Sequence, residues 1–199
     1  SSNLSVSRCD LDGTNCQGTF PFILGAGGQY VREISSAIDP ISQKILILAR
    51  NGDNGDILNL IRCSILANNC SLIDVSAGRG ASSGFSPQLN VDVKNAKLIM
   101  TARDQTTGFL GLYRCELDGS NCFYQDISSG IAIAAEKNSA KIDSVNGKLL
   151  VAARDSSTGR AHLFRSDLDG NNCTVTDVSN GNSFTGNTPS LVIDALNGR

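Results

Sequence analysis

The chain has 199 residues, of which 40% are hydrophobic and 18% charged, a balance that suits a buried core and argues against disorder. Its formal net charge is −2, with Lys and Arg scattered, which excludes a strongly basic nucleic-acid binder and gives no polybasic membrane anchor. The longest apolar runs, such as Ile45–Ala49, are too short to span a bilayer, so no transmembrane segment is expected, and a single His excludes a multi-His metal site within the chain.

Four segments carry one string: SRCDLDGTNC, IRCSILANNC, YRCELDGSNC and FRSDLDGNNC. Their first marked positions are Cys9, Cys63, Cys115 and Ser166, at offsets of 54, 52 and 51 residues. Cys16, Cys70, Cys122 and Cys173 keep the same beat. So do Asp39, Asp92, Asp143 and Asp194, then Arg50, Arg103 and Arg154. An Asp-Ile/Val-Ser-x-Gly string recurs at Asp74, Asp126 and Asp177. Such self-similarity is the signature of a repeat architecture.

In chain order, residues 3–9 read as a third strand (c) of a unit whose first half is missing, and Cys16 onward stands in the place of its fourth strand (d). Repeats of about 51 residues follow over 34–85, 86–137 and 138–188, after a partial unit over 1–33 and before another over 189–199. In the last full repeat, strand a is expected at Ala140–Val145 and a turn at Asn146-Gly147. Strand b is Lys148–Arg154, a polar loop runs Asp155–Arg160, and strand c is Ala161–Asp167. Asp169-Gly170 turns the chain into strand d at Cys173–Val178. Asn-Gly and Asp-Gly between apolar runs are hairpin signals, because both residue types tolerate positive φ. A further strand a is expected at Ser190–Asp194. No segment shows a helical stripe.

Four antiparallel strands per period indicate an all-β propeller of four-stranded blades, each burying its faces against its neighbours; a duplicated β-sandwich is the competing architecture. Asp92-Val93-Lys94-Asn95-Ala96-Lys97-Leu98 resembles the a–b hairpin of NHL-type repeats. Leu117-Asp118-Gly119-Ser120-Asn121 is similar to the c–d turn of YWTD-type repeats. The resemblance covers the whole chain and implies a bacterial propeller architecture without an activity. The order of partial units leaves two readings. Either four blades close imperfectly, or the chain is a segment of a larger ring, of about six to eight blades. A homo-oligomer or a second chain is a further way to complete the circle.

Three units carry C-x6-C. If Asp118 and Gly119 are the central turn residues, Leu117 faces Ser120, Glu116 faces Asn121 and Cys115 faces Cys122, within disulfide range. Disulfides are therefore expected at Cys9–Cys16, Cys63–Cys70 and Cys115–Cys122, although Leu66-Ala67 must turn differently. Zinc sites use closer Cys spacing. Disulfides imply a secreted, periplasmic or cell-surface protein. Cys173 faces Ser166, leaving either a free thiol or an intermolecular bond.

Two recurrent motifs have competing readings. Asp167, Asp169 and Asn171 alternate like calcium ligands, but lack the closing acid and also suit a tight hairpin. The Asp39/Asp92/Asp143/Asp194 series reads first as carboxylates accepting turn N–H groups, and otherwise as a ring lining the channel that binds a cation. Otherwise no cofactor is expected. Arg50, Arg103 and Arg154 end strand b, followed by Asn51, Asp104 and Asp155. They are binding candidates on the face of the b–c and d–a loops, or braces between blades. Loop 77–87 is the most adaptable part of that face. Among unit-specific residues, Tyr30, Phe85 and Phe184 lie in d–a connections, where they form a contact surface or plug gaps. Phe20-Pro21-Phe22-Ile23, Gln29 and Glu136-Lys137 also break the repeat. His162 has no acid or nucleophile pattern beside it, and no hydrolase, phosphate-loop or dinucleotide motif is present. The expectation is a non-catalytic extracytoplasmic propeller engaging a protein or surface ligand through its b–c and d–a loops. A carbohydrate- or matrix-binding propeller is the alternative, and a share in a propeller hydrolase or lyase a third.

Overall fold

The computed structural model describes residues 4–8, 12, 14–22, 31–52, 55–66, 69–80, 82–133, 138–183 and 188–194. All its regular elements are strands. β1 (Leu4–Arg8) and β2 (Gln17–Phe22) form an antiparallel pair in which Arg8 faces Gln17, so the segment after Cys16 is a true outer strand. Blade 1 comprises β3 (Val31–Asp39), β4 (Lys44–Asn51), β5 (Ile57–Ser64) and β6 (Ser71–Asp74). Blade 2 comprises β7 (Phe85–Asp92), β8 (Lys97–Arg103), β9 (Leu110–Glu116) and β10 (Phe123–Asp126). Blade 3 comprises β11 (Ser139–Asp143), β12 (Lys148–Arg154), β13 (Ala161–Asp167) and β14 (Thr174–Asp177). Each of these three sheets is a four-stranded antiparallel meander in sequence order.

Strand alternation explains how one sheet serves two neighbours. Along β8, Leu98, Met100 and Ala102 join the core with Leu46, Leu48, Leu58 and Leu60 of blade 1. Ile99 of the same strand joins Leu149, Val151, Ala153 and Phe164 of blade 3. A middle strand covered on both faces therefore reads as a nearly unbroken apolar run, which is why β4 and β8 lack polar alternation. The first strands of successive blades lie side by side, β3 against β7 and β7 against β11. Ser35 Oγ accepts the Leu89 N–H at 3.0 Å, and Ser139 Oγ accepts the Leu191 N–H at 3.1 Å, the same stitch one interface apart. The segment around Leu191 forms no ladder of its own, unlike the strand expected at 190–194, because no second strand pairs with it among the described residues.

Turn geometry departs from the simplest sequence reading. Asp143 pairs with Lys148, so the a–b connection is Ser144–Gly147, longer than the two residues Asn146-Gly147. Asp143 Oδ1 accepts the N–H of Val145 at 3.2 Å and of Asn146 at 3.0 Å, which stabilises the longer turn. In the c–d turn, the Gly119 N–H donates to Glu116 O and the Glu116 N–H to Ser120 O, both at 2.9 Å. The central residues are therefore Leu117 and Asp118, with Gly119 at φ +86 as a bulge residue. Asn121, at φ +49, supplies a second irregularity that restores Cys115 opposite Cys122. Asn15, Asn69 and Asn172 take the same positive φ, a reason for Asn before each second Cys that spacing alone conceals.

Disulfides join Cys63 to Cys70 and Cys115 to Cys122, each with Cα atoms 4.1 Å apart. Cys16 is also disulfide-bonded, while Cys9 lies outside the described residues. Cys173 carries a free thiol that is half-buried and donates to the Ile127 carbonyl at 2.8 Å; burial raises its pKa.

Candidate functional site

The d–a connection of blade 1 and the b–c connection of blade 2 meet at one end of their shared interface. The Gln105 N–H donates to Ser82 O at 2.8 Å, while the Gly84 N–H donates to Asp56 O of the β4–β5 connection of blade 1 at 2.9 Å. Asp74 begins the connection by accepting the Ser76 N–H at 2.8 Å, and the Arg79 N–H closes a turn onto Ser76 O at 2.9 Å. These bonds fix the backbone from which Arg79 projects. Its Nη2 donates to Asp104 Oδ2 at 2.9 Å, and its Cζ lies 4.4 Å from the centre of the Tyr124 ring. Asp104 is itself held by the N–H groups of Thr106 at 2.8 Å and Thr107 at 3.2 Å. Tyr124 meets Tyr113 edge to face at 5.2 Å, and the buried Tyr113 hydroxyl donates to Ser83 O at 3.1 Å.

Gly111 makes this stack fit. A Cβ there would lie 2.4 Å from Tyr124 Cε2 and 3.2 Å from Tyr113 Cε2. The result is a fixed cation over an aromatic face, with the Arg79 side chain still 40% exposed. Burial raises the pKa of both tyrosines, Tyr113 far above the ordinary phenol range, and the Asp104 hydrogen bond raises that of Arg79. Arg79 therefore stays charged and both phenols stay neutral near pH 7, an arrangement suited to recognition.

Other candidates are distributed along the same face. Arg50 is buried with its Cζ 3.9 Å above the Phe85 ring, and its Nε lies 3.5 Å from Asp56 Oδ1 and 3.9 Å from Glu33 Oε2. Glu33 also accepts the Ser86 N–H across the interface at 2.6 Å. Arg103 Nε donates to Ile133 O at 2.8 Å, tying β8 to the next d–a connection. Arg154 ends β12 opposite Ala161. Asp155 accepts from the N–H and hydroxyl of Ser157, each at 2.7 Å, and these bonds, with those from Thr158, lower its pKa against the opposing effect of burial. Arg50 and Phe85 are thus brought together, as are Asp104 and Arg79, whereas Asp155 serves its own loop. Tyr30 and Phe184 lie outside the described residues.

The recurrent Asp39 and Asp92, like Asp143, are engaged in turns. Asp39 accepts the Ile41 N–H at 2.9 Å and the Ser42 hydroxyl. Asp92 accepts Asn95 Nδ2 at 2.6 Å. In the calcium-like string, Asp169 accepts Asn171 Nδ2 at 2.9 Å, and Asp167 accepts Lys148 Nζ and, at 2.7 Å, Asn172 Nδ2. Among the described residues no three His, Cys, Asp or Glu side chains converge as metal ligands. His162 lies beside Phe164 at 6.4 Å between ring centres.

Repeat arithmetic does not single out Arg79, Tyr113 or Tyr124. The available signal is aligned difference: where the 1/2 interface has Arg79, Tyr113 and Tyr124, the 2/3 interface has Ile131, Phe164 and Val175.

No protein-family model matches the chain, and no curated protein matches it. Among solved structures it is similar to a chain of the nidogen/laminin complex, with TM-score 0.61 and 13% identity over 98% of this chain and 64% of that one. It is similar to TolB from Acinetobacter baumannii, with TM-score 0.56 and 12% identity over 98% of this chain and 41% of that one. A GH43 β-1,3-galactosidase gives TM-score 0.56 and 11% identity over 75% and 32% of the respective chains. The chain thus spans less than two thirds of the length of each. These likenesses show the fold, an all-β propeller architecture.

Proposed function

We propose that this chain is a non-catalytic, extracytoplasmic binding propeller that engages a protein partner through the loop face between blades 1 and 2. The observation that carries the reading is Arg79, stacked on Tyr124, hydrogen-bonded to Asp104 and still partly exposed. Arg and Tyr held rigid at the centre of a patch are the residue types that dominate protein interfaces, because little side-chain entropy remains to be lost on binding. The disulfides Cys63–Cys70 and Cys115–Cys122 support an oxidising compartment. The nidogen structure was solved in complex with laminin, which supports a propeller of this shape as a protein-binding platform.

The test begins with partners cross-linked to the intact protein in its native compartment, then purified and measured by surface plasmon resonance. Saturable binding that weakens about tenfold or more in Arg79→Ala or Tyr124→Ala supports the reading. Absence of a saturable protein partner, together with turnover by this chain alone, overturns it.

A further inference from the structure

Equivalent residues on the first strands differ in exposure according to what lies before them. Val91 on β7 packs into the core shared with blade 1, and Ile142 on β11 into the core shared with blade 2. Ile38 holds the same place on β3, one residue before the recurrent Asp, yet it is 62% exposed. Two residues earlier the contrast repeats: Leu89 and Ala140 are buried, whereas Ser36 is exposed. Ile34, on the same side of β3 by strand alternation, is 55% exposed. Among the described residues the unit before blade 1 consists of β1 and β2, its third and fourth strands, so the face of β3 carrying Ile34, Ser36 and Ile38 stays open.

Segment 188–194 carries the complementary surface. Leu191 and Ile193 are half-buried, whereas Ser190 is exposed and Val192 is 83% exposed. Counted back from the recurrent Asp, Val192 matches Ala37, which packs into the core between blades 1 and 2. Ser190 matches Ser35 and Ser139, the two serines whose hydroxyl groups accept the N–H of Leu89 and of Leu191 across their interfaces. Ser36 in turn is the counterpart of Leu89 and Leu191. Val192 and Ile38 are both open in a single chain, so its own segment does not cover blade 1.

We infer that copies of this chain dock head to tail, segment 188–194 of one lying against β3 of the next. Val192 packs on Ile34 and Ile38, and Ser190 Oγ accepts the Ser36 N–H. The repeat itself identifies the occupant, because the interfaces at Ser35 and at Ser139 are built from these same positions. Burying the exposed aliphatic groups drives the contact, and the serine stitch sets its register. The contact is heterologous, so every copy carries one surface of each kind. It is independent of the Arg79 face.

Sedimentation equilibrium of the full chain, at concentrations up to about 100 µM, tests the inference. The native chain should associate with rising concentration, and Arg79→Ala should associate as it does. Ile38→Asp and Val192→Asp should each weaken self-association about tenfold or more, because the contact would bury an unpaired carboxylate. Both positions are exposed in the free chain, so circular dichroism of each variant should match the native spectrum. Mixed together, the two variants should form a one-to-one dimer and nothing larger, since each keeps the surface that the other has lost. A native chain that stays monomeric, native-strength association of either Asp variant, or a mixture that stays monomeric would overturn the inference.

Discussion

The two blade interfaces use the same strand positions and arrive at different chemistry. Between blades 1 and 2, Tyr113 and Tyr124 bring hydroxyl groups into the packing, and Arg79 and Asp104 seal its loop end. Between blades 2 and 3, Phe164, Val175 and Ile131 occupy the corresponding places, and the loop end has no counterpart of the Arg79 cation. Their sulfur chemistry differs too: the bridged Cys115 lines the first interface, whereas the free Cys173, opposite Ser166, lines the second. Repeated scaffolds carry stability in what recurs and acquire specificity where one unit departs from the rest.

The largest expected effect comes from emptying either interface. Tyr113→Ala and Phe164→Ala should each cost about 3–5 kcal/mol by chemical denaturation, since both rings are fully buried. Tyr113→Phe separates the two chemistries: it gives blade 2 the ring of blade 3 and should cost about 1 kcal/mol, by leaving Ser83 O without its donor. A loss as large as that of the alanine variant would contradict the assigned hydrogen bond.

Sulfur bridging should rank next. Replacing Cys115 and Cys122 together by Ser should cost about 2–3 kcal/mol, because the bridge restricts the unfolded chain. Conversely, Ser166→Cys should bond to Cys173 and raise stability by about 1–3 kcal/mol, since their strands keep the register of the bridged pairs. Mass spectrometry of the alkylated variant should then find no free thiol at either position.

Smallest is the acid response. Hydrogen bonds from Asn146 and Ser179 hold the pKa values of Asp143 and Asp177 below the usual carboxylate range, and those from Ser157 and Thr158 do so for Asp155. Their contribution to stability is fully present above the unfolded value of about 4 and is lost as pH falls through the lower folded values. These three and Asp167 belong to blade 3, against Asp118 in blade 2, so hydrogen exchange should show the turns of blade 3 loosening most on acidification below about pH 4. Uniform loosening of all the described blades would remove that distinction.

Sequence and structure coincide where local rules act. Strand c of the last repeat was legible as Ala161–Asp167 because Asp-Gly turn chemistry bounds an apolar run. The Cys115–Cys122 pairing was legible from spacing, but through a different turn: two positive-φ residues, Gly119 and Asn121, cancel in register, and spacing counts only their sum. Of the Arg79 site, only the flagged loop and Asp104 were legible. Arg79, Asp104 and Tyr124 come from different elements and meet only when one sheet is laid on the next.

Hydrogen-exchange mass spectrometry of the intact chain, free and saturated with its protein partner, tests the central claim most directly. New protection is expected at Arg79, Ser82 and Gln105 on the loop face, with the β7–β8 turn unchanged. Protection confined to the opposite face, or absent around Arg79 despite full occupancy, would contradict it.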